Sequence, residues 1–482
     1  MVKLNELKNY YDNTFLKKED SWREKLGEDL DWHLSFDNLR EIDTTKHVHR
    51  LHPYKGKFIP QLVEYFLDDH VDEFKKEVYF HPDDIVLDPF MGSGTTLVQA
   101  LEMGINSIGV DISDFNCSIA RAKVERFNID EAGKTLKKAV KSTKEYSAKN
   151  FNDIYYKNLQ TLISNFNKEY FPSPEYKVKI NKHLIDEKKY SEEKFEKFQL
   201  AYEKFKENYN LKNDQEEIEG FHFISKWYSP RIRKELLFYL NLIDNVRDES
   251  TKNLMRVILS RTARSCRATT HSDLATLVEP VYEPYYCKKH YKICNPIETI
   301  IKKLSTYTED TIKRIKEFSQ LRKNVNAEVI HSDSRVVDIF EILKNKNPDY
   351  YKLVESKKID GIFSSPPYVG QIDYHEQHAY AYELLNIERK DELEIGPLSR
   401  GKTKKAQEEY IKGISEVLIN VKRFLKEEAN VFIVANDKLN LYPEIAEISG
   451  FKIVNEYKRP VLNRTERDKQ PYSEKIFHMK RL

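Results

Sequence analysis

Residues 364–374 read SSPPYVGQIDY, and four of them carry groups that could do chemistry. Ser365 has a hydroxyl that donates or accepts, Pro366 and Pro367 fix the backbone, and Tyr368 offers a flat aromatic face. A turn stiffened by two prolines presents its acceptors with little reorganisation. Prolines also gather in ordinary loops, so the stretch taken alone reads first as a plain turn after a strand.

A second stretch, DPFMGSGTT, covers residues 88–96. Only 14 of 482 residues are glycine, about half the usual share, so the pair Gly92 and Gly94 stands out. Such a loop between a strand and a helix lets a ligand approach the backbone, and the helix N-terminus favours polar or anionic groups. A dinucleotide fingerprint needs a third glycine where Leu97 stands, so a nicotinamide cofactor is disfavoured. Asp111 closes the next apolar run, where a carboxylate can accept hydrogen bonds from ribose hydroxyls. On the glycines alone, an ordinary tight turn explains the loop as well.

Two further clusters invite a metal reading. CKKHYKIC offers Cys287, His290 and Cys294, three zinc ligands that lack a fourth, and no matching pair follows at the usual spacing. The expectation is therefore no metal, with buried thiols and a surface histidine instead. HVHRLH (residues 47–52) also gathers histidines, but its place just before HPYKGKFIPQL gives it a better explanation than a metal.

The elements that position these groups follow from period and punctuation. Residues 84–113 run from a short apolar strand through the glycine loop and an amphipathic helix to a second strand ending in an acid, one βαβ unit. The alternation stops at about 130 and resumes near 327. AEVIHSDSR and IDGIFSSPPY each run from a strand into a polar loop, a helix is expected over 404–427, and ANVFIVAND, FKIVNEYKR and EKIFHMKR supply three more strands. The count is seven. Between the halves lie charged and aromatic stretches at helical spacing. The expected organisation is a helical lead-in over 1–45, one half of an α/β domain over 46–129, a mainly α-helical insertion over 130–297, and the second half over 298–482.

Composition sets outer bounds. No apolar run approaches the roughly 18 residues of a membrane span, the N-terminal stretch lacks the pattern of a secretory signal, and four cysteines make no disulfide framework. A cytoplasmic chain without a membrane partner is expected. The net charge of +2 hides 80 basic and 78 acidic residues, so any polyanion surface must be local.

DPFMGSGTT followed by GVDIS resembles the S-adenosylmethionine site of class I methyltransferases, and in particular of the DNA amino-methyltransferases. The resemblance implies a Rossmann-like class I methyltransferase fold, a seven-stranded mostly parallel sheet, with the helical insertion as candidate target-recognition domain. It assigns the cofactor to Asp88, Pro89, Phe90, Gly92, Gly94 and Thr95, with Asp111 on the ribose. HSDSR resembles the third motif of that family and puts Asp333 near the adenine. HPYKGKFIPQL resembles its cofactor-covering motif, giving Lys57, Phe58 and Pro60 a place over the methionine end. One departure is that the third motif follows the insertion instead of preceding it.

By the same resemblance Ser365, Pro366, Pro367 and Tyr368 become the catalytic turn. An exocyclic amino nitrogen is a poor nucleophile while its lone pair is delocalised into the ring; the Ser365 oxygen and the Pro366 carbonyl can accept its hydrogens, and Tyr368 can stack on a base extruded from the duplex. Serine at the first motif position goes mainly with cytosine N4 in that family, aspartate or asparagine with adenine N6. Cytosine N4 in double-stranded DNA is the expected target and adenine N6 the alternative. A guanine-N2 enzyme for tRNA, an inactive nucleic-acid-binding subunit and a partner restriction endonuclease complete the implied possibilities. Arg261, Arg264 and Arg267 would form a basic stripe on one helix face, and Arg400 and Lys402 lie in a basic loop that could touch the DNA backbone.

Overall fold

The computed structural model describes residues 23–27, 29–36, 38–39, 43–54, 56, 58–209, 222–274, 277–461 and 472–482. The chain divides into two compact units, one within 1–126, 314–377 and 389–482, the other within 127–313 and 378–388. Nine strands are described: β1 (Ile85–Asp88), β2 (Asn106–Asp111), β3 (Tyr285–Cys287), β4 (Lys292–Cys294), β5 (Ala327–His331), β6 (Ile359–Ser364), β7 (Leu425–Ala435), β8 (Phe451–Val461) and β9 (Tyr472–Arg481).

Seven of them form the sheet of the first unit, in the order β5-β2-β1-β6-β7-β9-β8. The first five are mutually parallel, and β9 runs antiparallel to β7 and β8. This is the expected Rossmann-like methyltransferase sheet. The two-residue period sorts side chains onto two faces. Ile85, Leu87, Ile108, Val110, Ile362, Val431 and Ile433 enter one core, with Ile414, Val417 and Val421 of the helix Lys404–Lys422. Val86, Phe363, Phe432 and Val434 enter the other, with Leu62, Val63 and Phe66 of the helix Pro60–Leu67. Helices cover both faces, which is why β1 and β6 read as nearly unbroken apolar runs.

Strand order reverses between β1, whose chain continues to β2, and β6, whose chain continues to β7. A crevice opens beyond the carboxyl ends of strands at such a point. DPFMGSGTT follows β1, Asp111 ends β2, Asp333 follows β5 and Ser365 follows β6, so all four motifs reach one end of the sheet. β5 pairs with β2, so the third motif returns beside the second although the insertion separates them in sequence.

One expectation is corrected. The helix expected over 404–427 ends at Lys422, because Leu425 pairs with Ile359 and draws the polar residues after it into β7. The lead-in expected over 1–45 lies largely outside the described residues; its described parts are helical at 23–26 and form short 3-10 turns at Trp32–Ser35 and Asp43–Thr45.

The second unit is mainly helical. Its helices include Ile129–Asn150, Ile154–Tyr170, Glu187–Glu207, Pro230–Asp244 and Glu249–Ser265. Phe166, Phe198 and Tyr202 form an aromatic core that also takes Ile293 from the hairpin β3–β4. Among the described residues, no helix is long and apolar enough to cross a membrane.

Candidate active site

The loop after β1 is built on two buried carboxylates. Asp88 accepts hydrogen bonds from the Ser364 hydroxyl (2.6 Å) and the Phe90 N–H (3.2 Å), tying the end of β1 to the end of β6. Asp111 accepts from the N–H groups of Gly92 (2.8 Å) and Ser113 (2.9 Å) and from Asn116 Nδ2 (3.1 Å). Burial outweighs these donors and raises each carboxyl to about 6. Gly92 has φ +50°, and a Cβ there would meet the Tyr54 hydroxyl at 3.2 Å, so the turn requires glycine. Gly94 caps the helix Thr95–Met103.

The turn after β6 is fixed from behind. The Pro367 carbonyl accepts from Tyr410 (2.9 Å), whose hydroxyl lies 3.0 Å from that of Tyr442. Tyr368 donates to Glu474 Oε1 (2.9 Å), Arg459 Nη1 holds Glu474 Oε2 (3.0 Å), and Arg459 Nε donates to the Leu34 carbonyl (2.9 Å). Arg459 and Glu474 are buried. The Ser365 hydroxyl eases the ionisation of Tyr368, as a group placed to donate to its oxygen does. A serine, a tyrosine, a carboxylate and a guanidinium therefore form one relay.

The two loops wall one cleft at the carboxyl ends of the strands. Phe58, Asp88, Pro89, Phe90, Gly92, Thr95, Asp111, Asp333, Ser365 and Pro367 all line it. A nucleoside-sized ligand with polar groups fits this lining, because the buried hydroxyls of Ser93 and Thr95 have no hydrogen-bond partner among the described residues. Asp333 is clamped by Arg335, with Nε at 3.0 Å from both carboxylate oxygens and Nη2 at 2.6 Å from Oδ2.

Other expected residues sit elsewhere. Lys57 lies outside the described residues. Pro60 opens its helix and is buried, Gly94 is a helix cap and Pro366 is buried, and none of the three lines the cleft. Tyr368 lines a separate cavity of about 370 Å³ with Asn436, Asp437, Tyr410 and the exposed Lys402. Arg400 pairs with Glu409 at 3.3 Å. The basic stripe does not form as expected: Arg261 pairs with Asp310 (2.7 Å) over the Tyr307 ring, and the buried Arg267 donates to the carbonyls of Arg264 and Leu274, which leaves Arg264 half-buried. In HVHRLH, His47 lies 2.6 Å from Glu102, whose other oxygen takes Lys46 at 2.7 Å.

Four contributors escaped sequence reasoning. Tyr54 and Tyr374 line the cleft with their rings stacked, centroids 6.1 Å apart, although both lie inside quoted motifs. Ser364 had a signal in the serine doublet before the prolines. Glu474 had none, since 106 residues separate it from Tyr368.

A family described as DNA methylase, of the N6/N4 class, matches residues 5–122. The type II methyltransferase M.MjaII of Methanocaldococcus jannaschii is 58% identical over 482 residues, covering 99% of this chain and 89% of that one. M.BsoBI of Geobacillus stearothermophilus is 23% identical over 83% of this chain and 65% of its own length. M.MvaI of Kocuria varians is 27% identical over 28% of this chain and 27% of its own.

Proposed function

We propose that this chain, which belongs to the N6/N4 family of type II DNA methyltransferases and uses S-adenosylmethionine as methyl donor, methylates the N4 amino group of cytosine in double-stranded DNA as the modification half of a restriction system. Ser365 carries the reading. The hydroxyl stands at the first position of the proline turn and lines the same cleft as Asp88 and Asp111, and the family resemblance pairs serine there with cytosine.

S-adenosylmethionine supplies an electrophilic methyl group on a sulfonium. On this reading Asp111 accepts hydrogen bonds from its ribose, Asp88 and the Gly92 turn hold its methionine end, Phe58 covers that end and Asp333 lies by the adenine. The orphaned hydroxyls of Ser93 and Thr95 are available to its polar groups. Ser365 directs its own hydrogen to the Tyr368 oxygen, and Tyr368 passes its hydrogen to Glu474. The lone pairs of the Ser365 oxygen are then free to accept one amino hydrogen while the Pro366 carbonyl accepts the other. Both bonds draw the nitrogen lone pair out of the ring and toward the methyl group. The extruded base lies against Tyr368 with its amino group turned to Ser365 and the cofactor cleft, with Lys402 and Arg400 near the DNA backbone and the helical second unit reading the target sequence.

The test is incubation with labelled S-adenosylmethionine and mixed-sequence duplex DNA, followed by mass spectrometry of the digested nucleosides. N4-methylcytosine is the expected product. N6-methyladenine as the sole product would overturn the serine argument.

A further inference from the structure

The hairpin β3–β4 of the second unit gathers two thiols and two imidazoles that the methyl transfer does not use. Cys287 ends β3, Cys294 ends β4 and His290 lies in the turn between them, while His271 comes from a turn sixteen residues before Cys287. One ligand atom from each residue lies within 4.8 Å of the other three. His271 Nδ1 is 3.7 Å from Cys287 Sγ, and His290 Nδ1 is 3.5 Å from Cys294 Sγ. A tetrahedral zinc with bonds of about 2.3 Å to sulfur and about 2.1 Å to nitrogen holds such ligands about 3.6 Å apart. Both contacts have the length of a coordination edge.

We propose that His271, Cys287, His290 and Cys294 bind one structural zinc ion. Sequence spacing offered three ligands, and the fold brings the fourth. Two thiolates and two imidazoles without a carboxylate suit zinc over magnesium or calcium. Four protein ligands leave no open position, so the ion stabilises and does not catalyse.

The surroundings are those of a built site. The sulfurs are buried and the imidazoles form the outer side. Tyr285 accepts the His271 N–H at 2.9 Å, and its hydroxyl lies 2.7 Å from His271 Nδ1, so one side chain fixes both the backbone and the ring of His271 beside the sulfurs. The loop carrying His271 is braced by Thr270 on Asp273 (2.5 Å) and by Arg267 on the Leu274 carbonyl (2.6 Å). On the hairpin side, Ile293 exchanges hydrogen bonds with Asn167, both at 2.9 Å. The ion would clamp this loop to the hairpin.

The full chain, purified under reducing conditions in the presence of zinc and without a metal-affinity tag, should carry about one zinc per chain by elemental mass spectrometry. Cys294→Ser and His271→Ala should each cut that at least threefold, while His222→Ala, an exposed histidine outside the cluster, should not. Because a substituted chain may misfold, the unsubstituted chain is also reloaded with cobalt(II), whose visible spectrum should show tetrahedral coordination with thiolate charge transfer. No more than background zinc in the purified chain, a stoichiometry that Cys294→Ser leaves unchanged, or a cobalt spectrum without thiolate bands would overturn the proposal.

Discussion

Ser365 and Tyr368 act through a single hydrogen-bond path that ends on a buried ion pair, so on the proposed reading they fail in different ways. Ser365→Ala removes an acceptor that meets the amine, and losing one preorganised partner of this kind costs about 100-fold to 1,000-fold in turnover. The affinity for S-adenosylhomocysteine, read by calorimetry, should stay within about twofold, because the serine only borders that site; equal loss of both quantities would make the turn structural. Tyr368→Phe keeps the stacking face but leaves Ser365 without its acceptor. Single-turnover kinetics should then show a decrease of about tenfold, the worth of one hydrogen bond. A decrease as large as that of Ser365→Ala would mean that the phenol itself touches the reacting base. Glu474 would be the less informative target, since removing it strands Arg459 as a buried unpaired charge.

At the scale of elements, the cofactor loop depends on a residue of the neighbouring strand, two positions before Asp111. Gly109 lies in β2 beneath the loop, and a Cβ there would sit 2.5 Å from Met91 Sδ and 2.9 Å from Leu97 Cδ1. Gly109→Ala must displace the buried side chains of Met91 in the loop and Leu97 in the helix behind it. The expected result is a loss of about 1–3 kcal/mol in stability by denaturant titration, together with weaker cofactor binding; unchanged binding would show that the loop yields without moving Gly92. The central parallel strands and the loop after β1 were legible because β1, β2 and β6 are buried on both faces and the breaks fall on glycine and proline. The hairpin β3–β4 was not, since strands of three residues with lysines between them carry no period to read. The arginine stripe misled for a related reason: Arg261 and Arg267 have helical spacing, but their partners Asp310 and Leu274 come from other parts of the fold. His271 was invisible to motif reading because its spacing to Cys287 matches no zinc pattern.

At the scale of the whole molecule, pH sets the two buried carboxylates against each other's company in the cofactor cleft. Asp88 and Asp111 are raised by burial to about 6 from an ordinary 3.8, so the folded chain binds more protons than the unfolded chain between these values. Their contribution to the stability of the ligand-free chain is therefore fully present below pH 4 and is lost as pH rises through 6. His478 works in the opposite sense over nearly the same window, because burial lowers it to about 4, and its contribution is lost as pH falls. Stability alone would blend the two. The difference between ligand-bound and ligand-free chain separates them, since His478 lies on β9 against Phe432 and Asn430 and not in the cleft. Ribose hydroxyls and the ammonium group of the amino-acid end favour the ionised carboxylates, so affinity for S-adenosylhomocysteine should be flat above pH 7. Below pH 6 it should fall by up to about tenfold per unit for each carboxyl that takes a proton. Asp111→Asn should weaken binding at pH 7 and remove one proton from that dependence. An affinity that stays constant from pH 7 to pH 5 would mean that these carboxyls are not what holds the cofactor.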